Sequence, residues 1–342
     1  MSLLFESNWV IIMKIFISIA GYRDPLLYNT ISEAYKTAKH KESLVFGVVD
    51  QSYAWESLDL ESFSFRNQIR YFRVDPYYAR GVCWARSVAQ SLSSTEDYFF
   101  QIDSHTLFDQ DWDELLLDYY HKLKQYHSKP IITAYPHCFQ AVDNNILDLK
   151  KERYEGLLTL VADENNSFIH NNDYENFYVG AIPHIISGSD PVHGYLASAN
   201  FFFSSMSIVE EIPYDPFLFF SGEEHSLALR CWTNGYNLFH IPEMPIYHYY
   251  GRDYRTTIWQ DEEIDKNKTQ KWWELDLLSK NRLGEIVRGK TGTYGCGPER
   301  TLNDYINWTG IDYFSRTLLP KAKTGEEIFS VDYREKIIPD LK

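Results

Sequence analysis

Residues 98–109, YFFQIDSHTLFD, run from aromatic and branched apolar side chains into three polar ones, Asp103, Ser104 and His105. Such an apolar run is typical of a buried strand, and the polar triplet marks its end. In an extended segment residues two apart project to the same face, so we expect Asp103 and His105 to point at one spot, with Ser104 turned away. A carboxylate oxygen and an imidazole nitrogen aimed together suit a divalent metal such as manganese. The structural alternative is that Asp103 caps the turn and His105 bonds the backbone.

The segments around this strand alternate between apolar runs and helical patterns. Further strand-like runs occupy 14–25, 43–52 and 130–136, and helical patterns occupy 26–39, 81–93 and 112–126. This alternation predicts an α/β domain with a mainly parallel sheet and helices on both faces. Ligands of such sheets bind beyond the carboxyl ends of the strands. Polar groups follow three of these ends, namely Tyr22-Arg23-Asp24, Asp50-Gln51 and Asp103-Ser104-His105.

The overall charge excludes some classes of partner. The 342 residues carry a formal net charge of -15, which argues against non-specific binding to nucleic acid or to acidic membranes. The four cysteines are widely spaced and form no metal or disulfide pattern, so we expect a cytoplasmic protein. No apolar run reaches 18 residues, so no transmembrane segment is expected. Residues 1–12 are expected to be an upstream extension or a cloning scar, because Met13 directly precedes the first strand.

The pattern changes in the second half of the chain. Residues 137–195 are polar and Asn-rich, which predicts a loop-rich insertion that either forms a wall of a binding site or is a solvated excursion. A strand-like run returns at 194–205. Residues 260–342 are expected to form a helical extension packed on the preceding domain, with 271–287 as the strongest helical pattern.

A metal site at Asp103 and His105 needs a third ligand. His248 is one candidate, because it closes the short apolar run of MPIYHYYGR (244–252). His225 and His240 compete for the same part. His240 lies inside an apolar segment where packing is the ordinary role, and His225 lies in an apparent helix and fits either role.

Two other groups of charged residues fit a site for a sugar diphosphate. Glu223 and Glu224 follow a glycine in FFSGEEHSLALR (219–230), where they either complement a helix N-terminus or engage sugar hydroxyls or an acceptor proton. Arg23, Arg80 and Arg86 lie near predicted strand or helix ends and are candidates for diphosphate contacts, since arginine offers permanently charged, bidentate donors. Surface ion pairs are the alternative for each arginine.

Several ordered motifs resemble one family of enzymes. The matching stretches are IFISIAGYRDP (15–25), ARGVCWARSVA (79–89), YFFQIDSHTLFDQDWD (98–113), YDPFLFFSGEEHSLALRCWTNGYNLFHIP (214–242), IYHYYGR (246–252) and TYGCGPERTLNDYINWTGIDY (293–313). Together they resemble the GlcNAc-transferase family typified by the eukaryotic Skp1 hydroxyproline GlcNAc-transferase, which has many bacterial members. The chain is more distantly similar to the polypeptide GalNAc-transferases, whose D-S-H, G-L-I-R-A-R and W-G-G-E-N motifs have counterparts here.

The resemblance implies a GT-A fold over residues 13–259 that uses a UDP-sugar and a divalent metal, Mn²⁺ or Mg²⁺. By the same resemblance, His248 becomes the third metal ligand beside Asp103 and His105. The residues that the resemblance places at the nucleotide sugar are Ala20, Tyr22, Arg23, Asp50, Arg86, Ser198 and Ala199, with Glu223 on a sugar hydroxyl; Arg80 joins them as a candidate for the diphosphate contact named above. Two positions depart from the relatives, Glu224 in place of Asn and Gly21 in place of Ser.

The expected reaction is transfer of a sugar, in particular GlcNAc, to a hydroxyl acceptor with retention of anomeric configuration. The acceptor is expected to be a bacterial glycan or a protein. One alternative is a nucleotide-sugar phosphohydrolase, for which Asp109, Asp111 and Asp113 would supply a second metal site, although helix capping explains them better. The other alternative is a glycan-binding module, which the aromatic share of 16% favours.

Overall fold

The computed structural model describes residues 13–142, 145–170 and 175–337, so the predicted extension at residues 1–12 lies outside the described residues. The strands are β1 (Ile15–Tyr22), β2 (Leu44–Gln51), β3 (Ile69–Val74), β4 (Tyr98–Asp103), β5 (Thr106–Phe108), β6 (Pro130–Thr133), β7 (His137–Val142), β8 (Asn145–Glu152), β9 (Leu157–Asp163), β10 (Gly180–Ile186), β11 (Val192–Gly194), β12 (Phe201–Ser205), β13 (Asn237–His240), β14 (Ile246–His248), β15 (Ile311–Asp312) and β16 (Thr317–Leu318). The helices are α1 (Leu27–Thr37), α2 (Val82–Gln90), α3 (Trp112–Lys124), α4 (Ser207–Glu211), α5 (Glu223–Thr233), α6 (Glu262–Asn267), α7 (Trp272–Val287), α8 (Leu302–Thr309), α9 (Pro320–Thr324) and α10 (Glu326–Phe329).

A large mixed sheet forms the centre of the molecule, with the strand order β11-β13-β6-β12-β4-β1-β2-β3. β1 is parallel to both β2 and β4, β2 is parallel to β3, and β6 is parallel to β13. β12 runs antiparallel to its neighbours β4 and β6, and β11 runs antiparallel to β13. The predicted mainly parallel sheet is therefore confirmed, with two antiparallel strands added.

Helices cover both faces of this sheet. Successive side chains of β1 point to opposite sides, so each face of the sheet offers apolar side chains for helices to pack against. Ile17 belongs to one core cluster, with Ile31 of α1 and Leu116 of α3. Phe16, its neighbour in the chain, belongs to another cluster, with Ala228 of α5. Each such side chain contributes about 1.5–3 kcal/mol when it is fully buried, so the two cores fix the position of the sheet relative to its helices.

The strand register brings the polar strand ends together. Ala20 of β1 pairs with Asp103 of β4, and Gly21 pairs with Asp50 of β2. A smaller sheet, in the order β5-β14-β7-β8, begins where β4 ends. Within it, His248 of β14 pairs with Thr106 of β5, the residue directly after His105. The carboxyl edge of the large sheet and the small sheet therefore meet at Asp103 and His105.

The segment 137–195 is not loop-rich as its composition predicted, because it contains strands β7 to β11. β7 and β8 pair as an antiparallel hairpin, and β9 pairs with β10. All seven residues of β9 are buried, whereas most residues of β10 are exposed. The prediction of loops holds only for the Asn-rich stretch between β9 and β10, whose described residues 164–170 and 175–179 contain no strand.

The C-terminal segment contains helices α6 to α10 and the short β15–β16 hairpin. Its longest helix, α7, supports the turn before α5, because Ser279 Oγ donates a hydrogen bond to the Ser221 carbonyl over 2.8 Å. In the part of the chain that the structure describes, no helix has the length and apolarity needed to cross a membrane.

Candidate active site

A cavity of about 580 Å³ opens beyond the carboxyl ends of β1, β2 and β4. The strand ends contribute Ala20, Tyr22, Gln51 and Asp103 to its wall. Other parts of the wall are the turn 219–222, the start of α5, segment 249–259 after β14, and Tyr135, Asn176 and Tyr178 from the region around the insertion. The position agrees with the rule that open α/β sheets bind ligands beyond their carboxyl ends.

Asp103, His105 and His248 meet on the wall of this cavity. Each offers one ligand atom, and these atoms all lie within 4.8 Å of one another. Asp103 Oδ2 is 3.0 Å from His248 Nε2 and 3.7 Å from His105 Nε2. The i, i+2 expectation for Asp103 and His105 therefore agrees with the structure. Ser104, however, is not turned away, since its hydroxyl donates to Asp24 over 2.6 Å and contacts the same carboxylate as His105.

The protonation of this cluster suits a cation. Burial lowers the pKa of His248 to about 4, so its imidazole is neutral at neutral pH. Its Nδ1 is buried and has no hydrogen-bond partner among the described residues. Burial opposes ionisation of Asp103, but Arg86 and the two histidines hold the pKa of its carboxyl well below its usual range. An ionised carboxylate next to neutral imidazole nitrogen is the form in which these side chains bind metals.

Arg86 links the metal-ligand cluster to the start of α5. Its guanidinium is buried, and it donates to Asp103 on one side and to Glu223 Oε1 on the other, the latter over 2.5 Å. Tyr214 donates its hydroxyl to the same oxygen of Glu223. The arginine is therefore neutralised by two carboxylates within the protein.

Glu223 and Glu224 form the first turn of α5, as the sequence predicted. The preceding Gly222 has a φ of 90°, a left-handed conformation that favours glycine, and this turns the chain sharply into the helix. Glu224 accepts hydrogen bonds from the Ala199 backbone N over 2.9 Å and from the Tyr135 hydroxyl over 3.0 Å. Burial, with a contribution from Glu223, raises the pKa of Glu224 to about 7.

Residues 54–315 match the family described as Glycosyltransferase (GlcNAc). The chain belongs to this glycosyltransferase family. It is similar in structure to GalNAc-T7 with UDP, GalNAc and Mn²⁺, with a TM-score of 0.58 and 12% sequence identity, over 90% of this chain and 59% of that chain. It thus spans 59% of the GalNAc-T7 chain and shares its GT-A fold. A weaker similarity, with a TM-score of 0.43 and 12% identity, covers 78% of this chain and 69% of S. aureus TarS 1–349. No curated protein matches the chain.

The glycosyltransferase places most of its predicted site residues around the cavity. Those on the wall are Ala20, Tyr22, Arg86, Asp103, His105, Ala199, Glu223, Glu224 and His248. Because the two sheets meet at this edge, residues from widely separated parts of the chain share one cavity. That these residues contact a nucleotide sugar remains a prediction.

Four predicted residues lie off the cavity wall. Arg23 pairs with Glu56 and Asp261, which hold its guanidinium away from the cavity. Asp50 accepts a hydrogen bond from the Tyr71 hydroxyl over 2.7 Å, on the side of β3.

Arg80 is exposed just before α2, although its neighbour Gly81 reaches the wall. Ser198 is fully buried, and its hydroxyl is bonded to Asn200, which does line the cavity. Because a one-residue shift in a strand or turn changes the direction of a side chain, Asp50 and Ser198 lie off the wall while their neighbours Gln51 and Ala199 line it.

The two competing histidines have structural roles. His225 Nε2 accepts a hydrogen bond from the Val179 backbone N over 3.1 Å, and His240 Nδ1 lies 2.6 Å from the Thr133 carbonyl. Burial lowers the pKa of both imidazoles to about 4. Neither belongs to the cluster around Asp103, so His248 is the histidine that joins it.

Other residues of the cavity were not singled out from the sequence. Arg252 lies on the wall with its guanidinium 5.3 Å from the Trp259 ring centre and 5.9 Å from that of Phe220. It belongs to the matching stretch IYHYYGR, four residues after His248, so the motif contained the signal. Asp24, which contacts His105 from behind, was visible in the sequence only as part of a polar strand end.

Proposed function

We propose that this glycosyltransferase moves GlcNAc from UDP-GlcNAc to a hydroxyl of a glycan or protein acceptor, with a divalent metal and with retention of configuration. The observation that carries the proposal is the meeting of Asp103, His105 and His248 on the cavity wall, with ligand atoms within 4.8 Å of one another. The family description names GlcNAc, and GalNAc-T7, which shares the fold, was solved with UDP and Mn²⁺. The narrower resemblance to the Skp1 hydroxyproline GlcNAc-transferase, and a bacterial glycan as acceptor, stay predictions.

The chemistry of the three ligands fits Mn²⁺ or Mg²⁺, with Mn²⁺ favoured. One carboxylate oxygen and two imidazole nitrogens suit an ion of intermediate softness, whereas Mg²⁺ prefers oxygen ligands alone. The neutral ring of His248, whose Nε2 lies 3.0 Å from Asp103 Oδ2, is consistent with a ligand role. When bound, such an ion neutralises the charge that develops on the leaving UDP.

Arg252 is the best candidate for contact with the diphosphate. Four cationic side chains line the cavity, but three of them pair with carboxylates: Arg86 with Asp103 and Glu223, Arg255 with Asp24, and Lys280 with Asp276. Arg252 has cation–π contacts and no carboxylate partner among the described residues. Its charge is therefore available to an anionic ligand, while Arg86 serves to hold Asp103 and Glu223.

The positions of the two glutamates favour a front-face reaction over a covalent intermediate. Glu223 accepts bonds from Arg86 and Tyr214, and Glu224 accepts bonds from Ala199 and Tyr135. Both carboxylates are therefore already engaged by donors of the protein. In the proposed step, the acceptor oxygen bonds to the anomeric carbon on the face from which UDP departs. The bond from that carbon to the phosphate oxygen breaks, and the acceptor proton passes to the departing phosphate. A glycosyl adduct on either glutamate would contradict this step.

The phosphohydrolase alternative loses its second metal site. Asp109 pairs with Arg153 and Lys151, and Asp113 accepts the backbone N–H groups of Lys39 and His40. Neither carboxylate lines the cavity. Within residues 13–142, 145–170 and 175–337, only the Asp103 cluster groups three potential metal ligands.

The first experiment is a thermal-shift screen of UDP-GlcNAc, UDP-GalNAc and UDP-glucose, each with and without Mn²⁺. We expect UDP-GlcNAc to stabilise the protein only when Mn²⁺ is present, because a ligand that binds the folded state raises the melting temperature. The variant His248→Gln should lose this stabilisation, whereas His240→Gln, which changes a buried histidine outside the cluster, should keep it. Release of GlcNAc 1-phosphate and UMP from labelled UDP-GlcNAc, with no transfer to any acceptor, would favour the phosphohydrolase instead.

A further inference from the structure

Asp24 lies directly behind the metal-ligand cluster, just after β1. Its carboxylate is buried and close to several donors from two parts of the chain. His105 Nδ1 lies 2.7 Å from Oδ2, Ser104 donates its hydroxyl over 2.6 Å, and Tyr254 donates its hydroxyl over 3.2 Å. The Nε of Arg255 is 3.5 Å away. Few carboxylates in the described chain are held by so many side chains, which indicates a fixed position.

The short contact with Asp24 decides which nitrogen of His105 carries the proton. An ionised carboxylate can only accept hydrogen bonds, so the Nδ1 that faces Asp24 at 2.7 Å must carry a hydrogen. The lone pair of Nε2 then points toward Asp103, whose Oδ2 is 3.7 Å away. In the opposite tautomer, Nε2 would carry the hydrogen and could not bind a cation. Metal-binding histidines commonly donate their other N–H to a carboxylate for this reason.

The same carboxylate also holds part of the cavity wall. Tyr254 and Arg255 belong to segment 249–259, which contributes Arg252 and Trp259 to the wall. Their contacts with Asp24 connect this segment to the residue that orients His105. A change at Asp24 would therefore disturb the metal ligand and the wall together.

We propose that Asp24 is a positioning residue that fixes His105 as a metal ligand and anchors segment 249–259 beside it. The inference rests on the proposed function, because the tautomer of His105 matters to the reaction only if His105 binds a metal. Asp24 itself would touch neither the metal nor the substrate. Its effect is exerted through His105, Tyr254 and Arg255.

The test compares wild-type protein with Asp24→Asn in two assays that do not measure turnover. In metal-free protein labelled with ¹⁵N-histidine, NMR reports which ring nitrogen of His105 is protonated, and His105→Gln identifies the signal. We expect a protonated Nδ1 in the wild type and a shift toward a protonated Nε2 in Asp24→Asn, since an amide replacing such a carboxylate selects the wrong tautomer in serine proteases. Mn²⁺ affinity in the presence of UDP, measured by electron paramagnetic resonance, should fall about 10–100-fold.

Two control variants separate this role from general packing. Tyr254→Phe removes a hydroxyl from Asp24 but keeps the imidazole contact, so His105 should retain its tautomer. Asp113→Asn changes a buried carboxylate that bonds the backbone N–H groups of Lys39 and His40 outside the cavity, and both readouts should match those of the wild type.

The outcomes distinguish this inference from the proposed function. A neutral His105 whose single ring proton is on Nε2 in the wild type overturns the inference without any variant, so the test holds even if Asp24→Asn does not fold. Unchanged tautomer and Mn²⁺ affinity in folded Asp24→Asn overturn it as well. A wild-type protein that binds no Mn²⁺ with UDP refutes the metal-dependent function, and the NMR result alone then decides the role of Asp24.

Discussion

Replacing Arg86 by methionine is expected to cost about 3–5 kcal/mol of unfolding free energy, because it removes one partner from two buried ion pairs. The arginine is only 3% exposed and lies between Asp103 and Glu223. At an effective dielectric constant near 20, two unit charges about 4 Å apart attract each other by roughly 4 kcal/mol. Methionine fills a similar volume without charge, so the two carboxylates would face each other uncompensated. The double variant R86M/E223Q removes one of them and should recover about 2 kcal/mol.

Guanidinium chloride unfolding at pH 7, followed by tryptophan fluorescence, measures these differences. The matched control is Arg66→Met, because Arg66 pairs with Glu61 and the two side chains are 58% and 75% exposed. This pair is screened by solvent, and its loss should cost no more than about 1 kcal/mol. If R86M proves no more costly than R66M, or if E223Q adds to the loss instead of relieving it, then the buried charge triad does not stabilise the fold as described.

Three further predictions concern the cavity and its walls. His105→Ala should lower turnover by more than about 100-fold and abolish the Mn²⁺-dependent thermal shift, while far-UV circular dichroism stays that of the wild type. Burial raises the pKa of Glu224 from 4.5 to about 7, so the folded protein favours the protonated side chain. The contribution of Glu224 to the free energy of unfolding is therefore full below pH 4.5 and is lost as pH rises through 7. Unfolding curves from pH 5 to 8 should show a loss of up to about 3 kcal/mol in the free energy of unfolding that Glu224→Gln lacks. Gly222→Ala adds a Cβ 3.1 Å from Leu283 Cβ at a φ of 90°, and it should lower the melting temperature more than Gly289→Ala, which meets nothing within 4 Å at a φ of 86°.

The sequence predicted much of the first half of the fold, although it did not predict β3. The runs at 14–25, 43–52 and 98–109 contain β1, β2 and β4, and the patterns at 26–39 and 112–126 contain α1 and α3. These elements are predictable because their apolar residues are buried in the two large cores. The spacing of apolar residues along the sequence therefore follows the burial pattern.

The strands of segment 137–195 could not be predicted in the same way. Most residues of β10 are exposed, so apolar alternation, the signal for a strand, is weak there. Its backbone hydrogen bonds come from pairing with β9, which is fully buried and was itself overlooked among the surrounding polar residues. Pairing with a strand that lies elsewhere in the chain is a tertiary property that local composition does not contain.

The choice of His248 over His225 and His240 depended on sheet register. All three histidines are buried, and nothing in their immediate sequence decides which one meets Asp103. The antiparallel pairing of β14 with β5 places His248 opposite Thr106 and thus beside His105. The resemblance to known transferases pointed to His248, but the physical reason lies in a pairing between segments about 140 residues apart.

Contacts between distant segments also determine which arginine of the cavity has its charge neutralised within the protein. Arg86 and Arg252 both line the cavity, yet carboxylates from β4 and α5 neutralise the first and leave the second available. Glu223, Arg86 and Asp103 form a row of alternating charge. Beyond His105 and His248, the row continues with Asp24 and then Arg255. Every carboxylate in this row has a cationic neighbour on one side, and the two histidines stand where Asp103 and Asp24 approach each other. A divalent cation at the histidines would complete the alternation, so the row itself favours a positive ion at that position.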